Sequence, residues 1–377
     1  MYNIPLCLPD LGDEEIASIL EVIQKGEISH GSKVAEFELN FAAYVGTKHA
    51  IAMNSWTSAA FLVFSFLKEK LGSGEVILPS LSFVASANVI ANAGLTPVFA
   101  DVDFTTGNVR AEDIEPLIRK ETIAVMPVHL AGLPCNMTEI ELLTKKHNLV
   151  LVEDSAECVG VYSKGKPAGS FGVGIFSFYA TKNMTTAEGG MVTTNSDELA
   201  TWLRSRLGHG IVKHSYLDAD GKSYPWNRNA VVPGHNFRLS NLQASLGVVQ
   251  LKRLADMNSR RHLVAADYSQ KMRELNQVTL PELMSPDEHS FQMFIIKVPK
   301  SIRNSLVTYL NERGIGASVH FDPPIHRQTA YRNSVSSLPN TDAFASQCIS
   351  LPISSKQTTD ETKVVVNELK AFLDRSS

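Results

Sequence analysis

Strand-like apolar segments alternate with helix-like ones from about residue 57 to residue 207, and this alternation restricts the fold more than anything else in the chain. Short apolar runs read as strands at 75–78, 96–100, 122–128, 149–153, 174–178 and 191–194, and stretches with helical apolar spacing read as helices at 13–24, 57–70, 82–93, 138–147 and 196–207. Strands separated by helices are joined by crossovers rather than hairpins. The expectation is therefore an α/β fold with a mainly parallel sheet flanked by helices. A long helical pattern from residue 240 into the region of residue 268 leads to a second alternation: strand 291–298, helix 301–313, strand 316–320 and a closing helix 360–373. No internal repeat or low-complexity linker separates the two parts, which predicts a large domain over 1–250 and a smaller α+β domain over 251–377, joined by that helix.

Two residues in this framework carry chemistry. Asp154 ends the run Val150-Leu151-Val152-Glu153-Asp154, at the carboxyl end of a strand, where open α/β sheets bind ligands. Taken alone it reads as a helix N-cap. Lys182 lies between two strand-like segments in Ser177-Phe178-Tyr179-Ala180-Thr181-Lys182-Asn183-Met184-Thr185-Thr186-Ala187-Glu188-Gly189-Gly190, a stretch of small residues that lets backbone approach a ligand. Taken alone it reads as a solvated charge. Together they match the needs of pyridoxal phosphate: an amine to hold the aldehyde, and a carboxylate to keep the pyridine nitrogen protonated so that the ring serves as an electron sink.

Further blocks occur in a fixed order. They are Gly26-Glu27-Ile28-Ser29-His30-Gly31, Asn54-Ser55-Trp56-Thr57-Ser58-Ala59, Pro79-Ser80-Leu81-Ser82-Phe83-Val84-Ala85-Ser86-Ala87-Asn88 and Pro127-Val128-His129-Leu130-Ala131-Gly132, then the Asp154 and Lys182 segments, Gly234-His235-Asn236-Phe237-Arg238-Leu239-Ser240-Asn241-Leu242-Gln243-Ala244 and Val319-His320-Phe321. With these blocks the chain resembles, over nearly its whole length, the DegT/DnrJ/StrS family of sugar aminotransferases, which are fold-type I pyridoxal phosphate enzymes with a mainly parallel sheet of the seven-stranded type. Ala187 stands where that family usually has glycine, and Trp56 where it usually has a small residue.

The resemblance implies roles for particular residues. Lys182 would hold the cofactor and, once displaced, move a proton as general base and acid, while Asp154 would pair with the ring nitrogen. Thr57, Ser58 and Ser177 fall on the family's phosphate-binding positions; by its own pattern the 54–59 segment reads equally as an ordinary Ser/Thr helix cap. Phe83 would stack on the cofactor ring rather than fill the core. Glu157 would lie near the ring hydroxyl, or else be an acid favoured by a helix N-terminus. Asn236 would reach the phosphate bound to a neighbouring subunit, which makes the active sites of a homodimer shared. His209, Arg238, His320 and His326 match polar positions near the family's substrate cleft.

Composition limits the alternatives. A net charge of -4 over 377 residues supplies no basic face for nucleic acid. Cys7, Cys135, Cys158 and Cys348 are scattered, without metal-ligand spacing, which predicts a reducing cytoplasmic setting and no metal centre. The first residues have no basic region and no sustained apolar segment, so neither a signal peptide nor a membrane anchor is expected. The expected activity is transfer of an amino group from L-glutamate, released as 2-oxoglutarate, to a nucleotide-linked keto sugar for cell-surface polysaccharide or glycoside biosynthesis. A 4-keto-6-deoxyhexose is the first expectation and a 3-keto sugar the second. The competing readings are a sugar dehydratase on the same scaffold, in which histidine usually replaces the lysine, and a non-catalytic regulatory protein.

Overall fold

The computed structural model describes residues 2–211, 220–224, 226–332 and 337–376. Its strands are β1 (His49–Met53), β2 (Glu75–Pro79), β3 (Thr96–Ala100), β4 (Thr122–Val125), β5 (Val150–Asp154), β6 (Tyr162–Ser163), β7 (Lys166–Pro167), β8 (Val173–Ser177), β9 (Gly190–Thr194), β10 (Phe294–Lys297) and β11 (Cys348–Leu351). The helices are α1 (Asp13–Lys25), α2 (Ser32–Val45), α3 (Trp56–Leu71), α4 (Ala85–Asn92), α5 (Ala111–Ile114), α6 (Met137–Lys146), α7 (Asp197–Arg206), α8 (Asn241–Met272), α9 (Lys300–Glu312), α10 (Pro339–Gln347) and α11 (Thr359–Ser376).

Seven strands form one sheet in the order β1-β9-β8-β5-β4-β2-β3. The β3, β2, β4, β5 and β8 neighbours are parallel, and β9 runs antiparallel to both β8 and β1. The two-residue alternation of a strand sorts side chains between two helical layers. Val76 and Leu78 pack with Leu62 of α3 and Ile90 of α4, whereas Ile77 packs with Ile140 and Leu143 of α6. A sheet covered on both faces explains why its strands read as near-continuous apolar runs.

Helix α8 starts with a capping box, Ser240 Oγ accepting from Gln243 N while Ser240 N donates to Gln243 Oε1. Its residues Ala244 to Met257 pack with Phe37 and Phe41 of α2. Its later residues Val264, Ala265, Tyr268 and Met272 join a separate core with Phe294, Leu306, Ile349 and Leu369. That second core lies around the antiparallel pair β10 and β11. Ile4 belongs to it too. Ile4 N donates to Gly314 O, Gly316 N to Ile4 O and Ile353 N to Leu6 O, so residues 2–6 run along the C-terminal unit.

The expected strand at 316–320 is not a regular strand. Only Ser318 bridges β11, through Ser350, because Gly316 is taken up by the N-terminal segment and passes so close that a Cβ there would meet Leu6 N at 2.4 Å. Cys348–Leu351 takes the strand position beside β10 instead. Helices α2 and α10 and strand β1 add to the elements expected from the sequence. All four cysteines are unpaired, and among the described residues no helix is long and apolar enough to cross a membrane.

Candidate active site

The carboxyl ends of the central strands open into a cleft of about 790 Å³ between the sheet and the C-terminal unit. Thr57, Phe83, Asp154, Glu157, Ser177, Lys182 and His320 all line it. They arrive from α3, the turn before α4, β5, β8, the loop after β8 and the segment before β11.

Asp154 closes β5, tied to the next chain segment by its own backbone: Asp154 N donates to Pro127 O and His129 N to Asp154 O. Its side chain is 4% exposed, Oδ2 accepting from Ser86 Oγ at 3.1 Å and Oδ1 from Ala156 N at 3.2 Å. Burial pushes this carboxyl up to about 6, and the negative charge of Glu157 adds to the rise, while Ala156 N–H, the Lys182 ammonium and Ser86 work against it. Among the described residues no cationic side chain forms an ion pair with it. A buried carboxylate facing a cleft without a counter-charge fits a protonated pyridine nitrogen.

Behind Asp154 sits a buried polar layer. Glu153 accepts from Gly169 N (2.8 Å), Phe171 N (2.6 Å) and Gly172 N (3.1 Å), which fixes the turn that feeds β8. His129 accepts from Cys135 N on Nδ1, so its ring proton lies on Nε2, 3.4 Å from Glu153 Oε2.

The lysine loop is pinned from two sides. Thr186 N and Thr185 Oγ1 donate to Phe178 O, Thr185 N donates to Gln250 of α8, and Asn183 Nδ2 donates to Asn258 and to Ser290 O. Ala187 occupies the left-handed region at φ 66°, the conformation that glycine adopts without cost, which accounts for the glycine usual at this position in the resembled family. Lys182 Nζ projects to within 3.0 Å of Glu157 Oε1, and Glu157 Oε2 accepts from Ala131 N at 2.8 Å. Amine, acid and the Asp154 carboxylate thus converge on one wall.

The α3 N-terminus forms another wall. Ser55 caps it by accepting from Ser58 N, and the N–H groups of Trp56 and Thr57 precede the first intrahelical bond and are free for an anion. The first residue of β9 must be glycine for this approach, since a Cβ on Gly190 would meet Ser55 O at 2.4 Å and Trp56 N at 2.6 Å. Gly190→Ala should therefore displace the helix start, lowering stability by about 1–3 kcal/mol and weakening cofactor binding in an equilibrium titration. Unchanged affinity and unchanged thermal midpoint would reject this packing account.

Five of the expected residues do not line the cleft of their own chain. Ser58 turns its hydroxyl to Asn54 Oδ1 at 2.7 Å and to Ser55 Oγ at 3.0 Å. His326 is buried on the turn Ile325–Arg327, Nδ1 lying 2.8 Å from Ser80 Oγ and Nε2 3.2 Å from Asp342 Oδ1 without hydrogen-bond geometry. His209, Asn236 and Arg238 lie on adjoining segments: His209 N donates to His235 O, Asn236 bridges Gly208 and Arg238 bridges Met53. His209 and Asn236 are exposed.

Other lining residues come from places the sequence did not single out. Ser86 follows Ser82 by one helical turn, a spacing visible in the 79–88 block, and His129 lies in the 127–132 block. Cys7, Gln292 and Ser350 carry no local signal, as each reaches the cleft only through tertiary packing. Among the described residues no group of three or more His, Cys, Asp or Glu side chains is placed to hold a metal ion.

The model of the DegT/DnrJ/EryC1/StrS aminotransferase family matches residues 9–370. The spore coat polysaccharide biosynthesis protein SpsC of Bacillus subtilis is 37% identical, with 98% of this chain and 97% of SpsC covered. Helicobacter pylori PseC, an aminotransferase of pseudoaminic acid biosynthesis, superposes with a TM-score of 0.92 at 29% identity, covering 99% of this chain and all of PseC. The PLP form of Spr1654 of Streptococcus pneumoniae superposes with a TM-score of 0.90 at 28% identity, covering 99% of each chain, and a PMP form of the same protein matches at 0.89.

Proposed function

Because this chain belongs to the DegT/DnrJ/EryC1/StrS aminotransferase family, and is a pyridoxal phosphate-dependent sugar aminotransferase, we propose that it moves the amino group of L-glutamate to the ketone of a nucleotide-linked 4-keto-6-deoxyhexose. The product would enter a cell-surface polysaccharide or glycoside. The observation that carries the reaction type is the convergence of Lys182, Glu157 and buried Asp154 in one cleft. A sugar dehydratase is disfavoured by the retained lysine, and a non-catalytic role by the retention of lysine, aspartate and helix N-terminus together.

When bound, the cofactor supplies a ring that accepts the electron pair left on the amine-bearing carbon. The residues supply the rest. Lys182 Nζ would carry the covalent attachment and, when free, would serve as the base and acid that moves the proton. Asp154 would keep a proton on the ring nitrogen, Phe83 would cover the ring, and Glu157, oriented by Ala131 N–H, would meet the ring hydroxyl. Thr57 and Ser177, with the α3 N-terminus, would hold the phosphate. His320 and the neighbouring wall meet the sugar.

Among the described residues, Lys182 is the only lysine or arginine that lines the cleft. A phosphate, a nucleotide diphosphate and the carboxylates of glutamate require more positive charge and more donors than this. In our reading they come from a second copy of the chain, whose Asn236 and Arg238 segment crosses a two-fold axis and completes the pocket, with His209 alongside. The exposed stripe Ile16, Leu20 and Ile23 on α1 is apolar surface that such a pairing could cover.

The reaction is tested by following the two half-reactions separately, first with glutamate and then with a panel of nucleotide-linked keto sugars, reading product mass and proton coupling. Failure of glutamate to convert the cofactor to its amine form would reject the donor. Subunit mixing tests the shared site. Lys182→Ala and Asn236→Ala proteins, each strongly impaired alone, should regain activity when mixed, because random pairing leaves about a quarter of all pockets intact in a closed two-fold dimer. Proven subunit exchange without recovery would place Asn236 outside the partner's pocket.

A further inference from the structure

We propose that Asn258 is a positioning residue: from helix α8, outside the cleft, it acts through Asn183 to fix the Lys182 amine against Glu157 for proton transfer. The proposal rests on the reading of Lys182 as the amine that holds the cofactor and moves the proton. It follows from a set of buried hydrogen bonds that joins the residue after Lys182 to the segment that carries Glu157. Asn183 Nδ2 donates to Asn258 Oδ1 at 2.7 Å and to Ser290 O at 3.0 Å. Asn258 Nδ2 donates in turn to Val159 O at 3.0 Å, and Ser290 Oγ lies 3.2 Å from Glu157 O, the nearer of its two carbonyl acceptors. Two bridges, one through Asn258 and one through Ser290, thus support the direct contact of Lys182 Nζ with Glu157 Oε1 at 3.0 Å.

The directions of these bonds are fixed from their ends. Val159 O and Ser290 O are carbonyls that only accept, so Asn258 turns its amide nitrogen to Val159 and Asn183 turns its own to Ser290, which leaves Asn258 Oδ1 facing Asn183 Nδ2. Asn183, Asn258 and Ser290 are all buried and none lines the cleft, so they reach the reaction only through Lys182 and Glu157. The same segment holds Glu157 from its other side: Ser290 N donates to Gly132 O, next to Ala131, whose N–H orients the Glu157 carboxylate. The arrangement leaves Asn183 Oδ1 buried with no hydrogen-bond partner among the described residues, a penalty that an apolar pair of similar shape would avoid. What the amides add is direction. A long lysine side chain is aimed by its backbone, and a displacement of about 1 Å at the reacting atoms can cost ~10²-fold in rate.

Two measurements on Asn258→Leu, which is close in size and makes neither bond, test this. In the cofactor-free protein, hydrogen exchange read by mass analysis should show the lysine loop exchanging about tenfold faster than in wild type, because it has lost its tie to α8. In the holoenzyme, borohydride should still trap cofactor on Lys182, while kcat of the half-reaction with glutamate falls by about tenfold or more at a KM within about threefold of wild type. The isotope effect with α-deuterated glutamate should rise, as proton transfer becomes the slow step. A loss of packing alone would lower the thermal midpoint without that split. Where Asn258→Leu does not fold, Ser290→Ala serves: it should speed exchange around Glu157 and lower kcat by a few-fold. Wild-type exchange and wild-type kcat in the folded variant would overturn the proposal, as would a raised KM with kcat unchanged. Trapping of cofactor on another residue in wild type would reject the reading of Lys182 and the proposal with it. Inert glutamate would reject the donor alone, since exchange still decides whether Asn258 holds the lysine loop.

Discussion

Lys182→Ala protein should lose multiple turnover by about 10²–10⁴-fold or more, yet still bind pyridoxal phosphate without a covalent link. Among the described residues the side chain is the only amine beside Glu157 and Asp154, so none of these neighbours can take over the attachment. The fold should persist, because Lys182 makes one side-chain hydrogen bond, to Glu157, and that carboxylate keeps its bond from Ala131 N. The checks are borohydride reduction followed by mass analysis, which should trap cofactor on wild type alone, and steady-state assays on both proteins. Near-normal turnover with the cofactor still trapped on the variant would remove Lys182 from the chemistry.

Asp154→Asn should slow both half-reactions by about 10²–10³-fold, the loss typical of deleting one preorganised electrostatic partner. Stopped-flow traces with glutamate and with keto sugar measure it. The same substitution should have the opposite effect on the stability of the cofactor-free protein. Burial lifts the folded-state value to about 6 from the ordinary carboxyl value of 3.8, so between these limits the folded chain binds more protons at this site than the unfolded chain does. Stability is therefore lost as pH rises from about 4 to 6, and by neutral pH the ionised carboxylate costs roughly 3 kcal/mol. Cofactor-free Asp154→Asn should melt above wild type at pH 8, and the two curves should converge below about pH 4. Adding pyridoxal phosphate should reverse the order at pH 8, because the cation offsets the charge only in wild type. Identical pH dependence in the two cofactor-free proteins would show that Asp154 is not held ionised at a cost.

The parallel sheet was legible because strands buried on both faces must be apolar throughout, as Val76-Ile77-Leu78 and Val150-Leu151-Val152 are. β1 was harder to see, since His49-Ala50-Ile51-Ala52-Met53 has one β-branched residue and two alanines. The 316–320 segment reads as a strand by composition, but which segment pairs with β10 is decided by packing against the N-terminus, a contact between chain ends that no local pattern encodes. In the site, Asp154, Glu157 and Lys182 were legible because each follows or leads a strand end. His326 was expected near the substrate cleft and does not line it, because histidine spacing says nothing about Ser80 and Asp342, beside which its ring is buried. Ser350 and Gln292 were invisible, being ordinary polar residues until the C-terminal unit folds over the sheet.

The N-terminal segment has a consequence for how the site comes into being. Leu6 and Cys7 line the cleft, and their anchors are Gly316 and Ile353, near the other end of the chain. During synthesis the sheet, with Asp154 and Lys182, can form long before those anchors leave the ribosome. Contacts of such high sequence separation are the slowest to close. The cleft is thus walled only when the last part of the chain is made, and a nascent chain that already holds its chemistry-bearing residues remains open on one side until then.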